Sequence, residues 1–167
     1  MPTLRPDIEY VFREHHQLVY RTACVVTGNP DDAEDVLQTI FLRLLAQPVL
    51  PRDPKAYFYK AAVNVSLNVL RARRRQVLVG DSEFFEAPAA SGHSSMDDRP
   101  RVQLHQAIAR LSPRTVEILI LRYVEGLTEP QIAKLLGRSR GTVAVTLFRA
   151  LIRLRKLLRS TTSRERV

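Results

Sequence analysis

The chain has 167 residues, 45% of them hydrophobic, and a formal net charge of +9, which is enough apolar material for one or two small cores and predicts attraction to a polyanion. No stretch approaches the roughly 18 to 20 uninterrupted apolar residues of a membrane span, and MPTLRPDIEY at the N-terminus has no apolar signal core, so a cytoplasmic protein without membrane insertion is expected. The single cysteine, Cys24, excludes an internal disulfide and sits in an apolar run, while adjacent His15 and His16 point to different helix faces, so neither a metal site nor a cofactor is expected.

The apolar spacing is helical throughout and no alternating run is bracketed by Asn-Gly or Asp-Gly, which predicts an all-α protein with about four helices on each side of a central tether. From Ile8 to Val26, apolar residues recur at Val11/Phe12, Leu18/Val19, Ala23 and Val26, and Gly28-Asn29-Pro30 stops the helix. Asp31, Asp32, Glu34 and Asp35 crowd the first turn of the next helix, where acids complement exposed N–H groups. Val36, Leu37, Ile40, Phe41, Leu44 and Leu45 form its expected buried stripe. Pro48, Pro51 and Pro54 then force an extended connection.

A long helix is predicted from about Lys55 to Arg75, packed by Ala56, Tyr57, Phe58, Ala61, Ala62, Val65, Leu67, Val69 and Leu70. It closes on Arg71, Arg73, Arg74 and Arg75, and cations at a helix C-terminus are stabilising for purely structural reasons. The same element also carries Tyr57, Phe58, Tyr59, Lys60, Asn64 and Asn68, of which a core role accounts for Phe58 but not for the whole set. Aromatic, amide and guanidinium groups together are what stacking on unpaired bases requires.

Residues 80–101, GDSEFFEAPAASGHSSMDDRPR, break all periodicity and carry the acids Asp81, Glu83, Glu86, Asp97 and Asp98 between basic flanks. This reads as a flexible acidic linker between a domain at 1–79 and a domain at 102–167. Fully extended, its length is roughly 75 Å, or about 20 base pairs of duplex.

The stretch 127–157, LTEPQIAKLLGRSRGTVAVTLFRALIRLRKL, reads as two helices about a tight turn. Thr128 and Gln131 form a capping box, Pro130 falls in the first turn, and Gly137 can take the left-handed conformation that ends a helix. Ser139 is the second N-cap. Beyond it, Val143, Leu147, Ala150/Leu151, Leu154 and Leu157/Leu158 give one apolar stripe, and Arg149, Arg153, Arg155, Lys156 and Arg159 fill the other faces. A helix with one buried stripe and one cationic face suits a major groove, and the whole is the pattern of a helix-turn-helix. An enzyme would need carboxylates converging with a histidine or a metal, whereas these acids sit at a helix start and in a linker.

The two halves in this order resemble an extracytoplasmic-function sigma factor, the smallest class of the bacterial sigma-70 family. DDAEDVLQTIFLRL (31–44) resembles the acidic helix of region 2 that docks on the clamp helices of the polymerase largest subunit. The resemblance implies core RNA polymerase as a partner, contacted through Asp35, Gln38, Thr39, Leu42 and Arg43. PKAYFYKAAVNVSLNVLRARRR (54–75) resembles the promoter-melting segment, which implies −10 DNA contacts by Tyr57, Lys60, Asn64, Asn68, Arg71, Arg73, Arg74 and Arg75. LSPRTVEILILRYVEGLTEPQIAKLLGRSRGTVAVTLFRAL (111–151) resembles region 4, which implies that Arg138, Ser139, Arg140, Thr142, Ala144, Val145, Thr146 and Arg149 read the −35 element.

Two departures from the family pattern stand out. The family's Trp is Tyr57 and its Asp is Asn68, and where many members read G-T-V-K-S-R-L this chain has Gly141-Thr142-Val143-Ala144-Val145-Thr146-Leu147. The missing cations shift −35 recognition toward Arg138, Arg140 and Arg149. The resemblance further implies promoter DNA and an anti-sigma factor as partners, and FLRLL with the PRDPKAYF turn is similar to the subgroup controlling iron-siderophore uptake. The competing reading, a free-standing helix-turn-helix regulator, leaves the aromatic and basic helix at 54–75 unexplained.

Overall fold

Glycine, proline and small polar caps divide the chain into helices, and the computed structural model, which describes residues 6–79 and 98–164, contains seven helices and no strand among those residues. α1 (Pro6–Thr27), α2 (Pro30–Leu45) and α3 (Pro54–Val79) precede the tether; α4 (Arg99–Ile108), α5 (Pro113–Tyr123), α6 (Glu129–Leu136) and α7 (Arg140–Arg164) follow it. Three helices, rather than about four, make up the first half, of which α1 spans 22 residues. The expected linker lies outside the described residues except at its end, where Asp98 is the N-cap of α4 and Pro100 falls in the first turn.

In the first unit, which extends to Leu67, Ile8, Val11, Val19, Ala23 and Val26 of α1 are buried, as are Val36, Ile40 and Leu44 of α2. Gly28 takes φ +70° to end α1, and the Asn29 side chain accepts from the Asp31 and Asp32 amides at 2.8 and 3.2 Å to start α2. The Asp53 carboxylate does the same for Ala56 at 3.1 Å at the start of α3. Phe12 packs on Phe41 with ring centroids 4.4 Å apart, His16 stacks on Phe12 at 5.5 Å, and His15 lies 5.1 Å from Phe58. Cys24 is half-buried. The Tyr20 phenol beside it titrates above its ordinary value, chiefly through its hydrogen bond to Cys24.

The second unit begins at Asn68, inside α3. Arg71 shows why: its guanidinium donates to the Ala109 and Leu111 carbonyls at 3.0 and 2.8 Å, tying these last turns of α3 to the corner between α4 and α5. The core of the unit holds Leu111, Val116, Ile118, Ile120 and Leu121, with Ile132 and Ala133 of α6 and Val143, Leu147 and Ala150 of α7. The Ser112 hydroxyl caps α5 through the Thr115 amide at 3.2 Å.

The corner between α6 and α7 is the most completely specified part of the unit. Thr128 Oγ1 accepts from the Gln131 amide at 3.4 Å while Gln131 Oε1 accepts from the Thr128 amide at 2.8 Å, closing the capping box. Gly137 stands at φ 61°, ψ 40°, and the Arg138 amide returns to the Ala133 carbonyl at 2.8 Å. Ser139 Oγ then accepts from the Thr142 amide at 3.1 Å and opens α7.

A Cβ at Gly137 would meet nothing within 4 Å, so only the left-handed backbone opposes a side chain there. Gly137→Ala is expected to destabilise the second unit by about 1–2 kcal/mol, and Gly137→Asn by less. Urea unfolding followed by amide exchange in α6 and α7 checks this; equal stability of all three proteins would contradict it.

Candidate nucleic-acid interface

The core face of each helix determines what is left facing outward. On α2, Val36, Ile40 and Leu44 point inward, so Asp35, Gln38, Leu42 and Leu45, spaced at three, four and three residues, share the opposite face. Asp35, Gln38 and Arg43 are exposed. Thr39 lies beside this face, half-buried, with its hydroxyl donating to the Asp35 carbonyl at 2.8 Å. Leu42 is 65% exposed, and Leu45, expected in the core, is 39% exposed. Leu44 already occupies that layer, and the next residue is turned away by 100° of helical rotation.

On α3 the buried residues Phe58, Tyr59, Ala62, Val63, Val65, Ser66 and Leu67 cover more than half the helix circumference. Tyr59, grouped in the sequence with the base-stacking side chains, is therefore core, at 2% exposure. The remaining strip carries Tyr57, Lys60, Asn64, Asn68, Arg71 and Arg75 at successive intervals of three or four residues, none of them buried. The Tyr57 hydroxyl accepts from Gln47 Nε2 at 3.0 Å, which fixes the ring at the edge of the strip.

Arg73 and Arg74 leave α3 in other directions, and Arg71 is held by the two carbonyls already described. The helix continues to Val79, so its last turn carries no basic residue. A macrodipole contribution fades within the last turn. The arginines therefore stand too early in α3 for capping to explain them.

On α7, Val143, Leu147 and Ala150 face the core. Thr142, Val145, Phe148, Arg149 and Ile152 consequently face out. Val145, Phe148 and Ile152 are 48, 67 and 50% exposed. Ala144 and Thr146 flank this stripe, half-buried, and the Thr146 hydroxyl turns back to the Thr142 carbonyl at 2.8 Å. Arg138, Ser139 and Arg140 are exposed at the N-terminal end, where Arg140 lies 4.0 Å from Glu129. Sequence reasoning missed Phe148. The signal was available: a large aromatic two residues out of phase with the Val143–Leu147–Ala150 stripe has no core position to occupy.

Among the described residues, no cluster of three or more His, Cys, Asp or Glu side chains is placed to hold a metal ion, and no helix is long and apolar enough to cross a membrane. What the outward faces offer is a carboxylate, amide and leucine surface on α2, an aromatic, amide and cation strip on α3, and an apolar stripe edged with arginine on α7.

Comparison with known proteins gives the family. The family described as Sigma-70 region 2 matches residues 11–76, and that described as Sigma-70, region 4 matches residues 101–154. The RNA polymerase sigma factor SigV of Bacillus subtilis is 32% identical over 155 residues, covering 91% of this chain and 89% of that protein. The RNA polymerase sigma-E factor of Streptomyces coelicolor is 31% identical over 153 residues, covering 90% and 84%. The sigma factor RpoE of Bartonella quintana, solved with the anti-sigma factor NepR, has the same fold at a TM-score of 0.52 and 24% identity, over 93% of this chain and 98% of that one. With both regions present in order, and relatives this similar along nearly their whole length, the chain belongs to the extracytoplasmic-function group of the sigma-70 family, the RNA polymerase sigma factors.

Proposed function

We propose that this sigma factor divides its work among the three outward faces: α2 docks on core RNA polymerase, α3 holds the opened −10 region, and α7 reads the −35 duplex. The observation that carries the reading is that each face consists of side chains its own core leaves exposed, with chemistry suited to one partner. Asp35, Gln38, Thr39, Leu42 and Arg43 mix charge, amide and apolar groups, the composition of a protein–protein contact with an apolar centre and a polar rim. Tyr57, Lys60, Asn64, Asn68 and Arg75 offer a ring for stacking, amides for base edges and cations for phosphate, and stacking worth roughly 1 to 3 kcal/mol per base offsets the cost of unstacking. Arg71 joins them once its two carbonyls are released; Arg74 reaches phosphate from the side of the strip, and Arg73, half a turn round the helix, stands farthest from it.

On α7, Ser139 and Thr142 at the N-terminal turn and Arg138, Arg140 and Arg149 around it contact phosphates and base edges, while Ala144, Val145, Thr146 and Phe148 supply apolar contact to thymine methyls. Bidentate guanine contacts are few on such a face. Promoter selection therefore depends on both regions acting together on polymerase in the cytoplasm. The exposed apolar residues of α2 and α7 also support an anti-sigma factor as a partner that covers them when the protein is idle. Within the family, the FLRLL and PRDPKAYF segments support membership of the iron-siderophore uptake group; loss of the protein should then change transcript levels chiefly under iron limitation.

Replacing both Asp35 and Gln38 by Ala should weaken core-polymerase binding at least ~10-fold while leaving thermal stability within about 0.5 kcal/mol, since both side chains are exposed. Fluorescence anisotropy of the labelled chain titrated with core enzyme measures this, and unchanged affinity would refute the α2 assignment.

The arginines of α3 give a sharper test. Arg75 continues the strip and Arg74 leaves it, so Arg75→Gln should impair promoter opening, read by permanganate reactivity of unpaired thymines, more than Arg74→Gln does. Equal opening by both variants and the unaltered protein, with a fall in stability, would return these residues to a structural role.

A further inference from the structure

Three features of the second unit lie outside the division of labour above. The apolar stripe of α7 does not stop at the turns that enter a groove: Ile152, three turns from the N-terminus of the helix, is 50% exposed. It forms an open depression with Arg149, Arg153, Lys156, Leu157 and Ser160. The tether, in turn, contains Asp81-Ser82-Glu83-Phe84-Phe85-Glu86, a pair of phenylalanines set among three carboxylates in a chain of net charge +9. Finally, the tether ends at Asp98, the N-cap of α4, and α4 packs against α7, with Arg153 donating to the Arg110 carbonyl at 3.1 Å just past the far end of α4.

We propose that residues 81–86 dock on the Phe148–Ile152 stripe of α7 in the free protein, with Phe84 and Phe85 against the apolar groups and the carboxylates facing Arg149, Arg153 and Lys156. The match is of pattern as well as sign: an apolar centre bordered by acids meets an apolar centre bordered by cations. Reach permits it. The 13 residues from Phe85 to Asp98 span up to about 45 Å, whereas α7, at 25 residues, is about 37 Å long. Tethering at this distance gives an effective concentration in the millimolar range, so a contact too weak to persist between separate molecules is largely formed within one.

The docked segment occupies part of the face assigned above to the −35 element, and in that respect the inference rests on that assignment. Free protein is thereby kept from non-specific duplex, to which its net positive charge would otherwise draw it. DNA presented by polymerase displaces the segment by offering more charge and more contact. Acidic residues 81–86 and phosphates compete for the same arginines, so both contacts weaken as salt rises.

The chain contains no tryptophan, so Phe148→Trp installs a unique fluorophore in the stripe. At sub-micromolar concentration and low salt, emission from the full-length F148W protein should be blue-shifted relative to the same protein carrying Phe84→Ser and Phe85→Ser, and high salt should remove the difference. Identical spectra from the two proteins would overturn the proposal. So would a blue shift that survives the serine changes and grows with protein concentration, which would assign the stripe to a second copy of the chain. In a parallel titration with the native Phe148, the serine changes should tighten binding to a −35 duplex by about 5-fold, the gain expected when a largely masked site is freed. Proteins that differ in emission while neither binds duplex would support the docking and refute the DNA assignment of α7.

Discussion

The rotation of α7 about its own axis is the constraint on which the outward face proposed for DNA depends. Val143 is fully buried and Leu147 and Ala150 nearly so, and with 100° between successive residues their position dictates the direction of every other side chain on the helix. Val145, Phe148 and Arg149 face outward because Val143, Leu147 and Ala150 do not. The turn before α7 supplies the remaining condition. A left-handed Gly137 between a capping box and a serine cap starts the helix at one residue and in one direction, so the outward stripe is presented from a rigid corner. A misplaced cap would rotate nothing but would lengthen or shorten the helix end that carries Arg140.

The first unit follows the same logic with a different outcome. α2 commits a narrow stripe to the core and leaves a broad face free, which suits docking on another protein. α3 commits more than half of its circumference, including Tyr59, and retains only a narrow strip. A narrow strip is sufficient for a single strand of nucleic acid, whose bases can be splayed one at a time along it. Neither surface acts at long range. The net charge of the chain supplies long-range attraction to a polyanion, and the acids in the first turn of α2 make that helix end locally negative.

Much of this was legible in the sequence. The all-helical class, the caps at Thr128 and Ser139, the left-handed Gly137 and the start of the buried stripe of α7 all follow from local chemistry that tertiary packing had no reason to override. The less legible features depend on neighbours. Tyr59 and Tyr57 are adjacent aromatics, and only the width of the surrounding core decides that one is buried and the other accepts a bond from Gln47 at the edge. Leu45 follows a buried leucine and reads as core until Leu44 is seen to fill that layer. Arg71 could not be distinguished from Arg75 by composition, because its carbonyl partners at Ala109 and Leu111 are some 40 residues away in the chain. The extension of α3 to Val79 was hidden by the arginines themselves, which look like a helix end.

Leu42 and Phe148 are exposed to nearly the same extent, 65 and 67%, on different units, and the account sends them to different partners. Placing the photoreactive p-benzoylphenylalanine at each position in turn, assembling holoenzyme on promoter DNA and identifying the cross-linked species tests that division directly. The predicted result is polymerase attached at position 42 and −35 duplex attached at position 148. Cross-linking of position 42 to DNA, or of position 148 to polymerase alone, would contradict it.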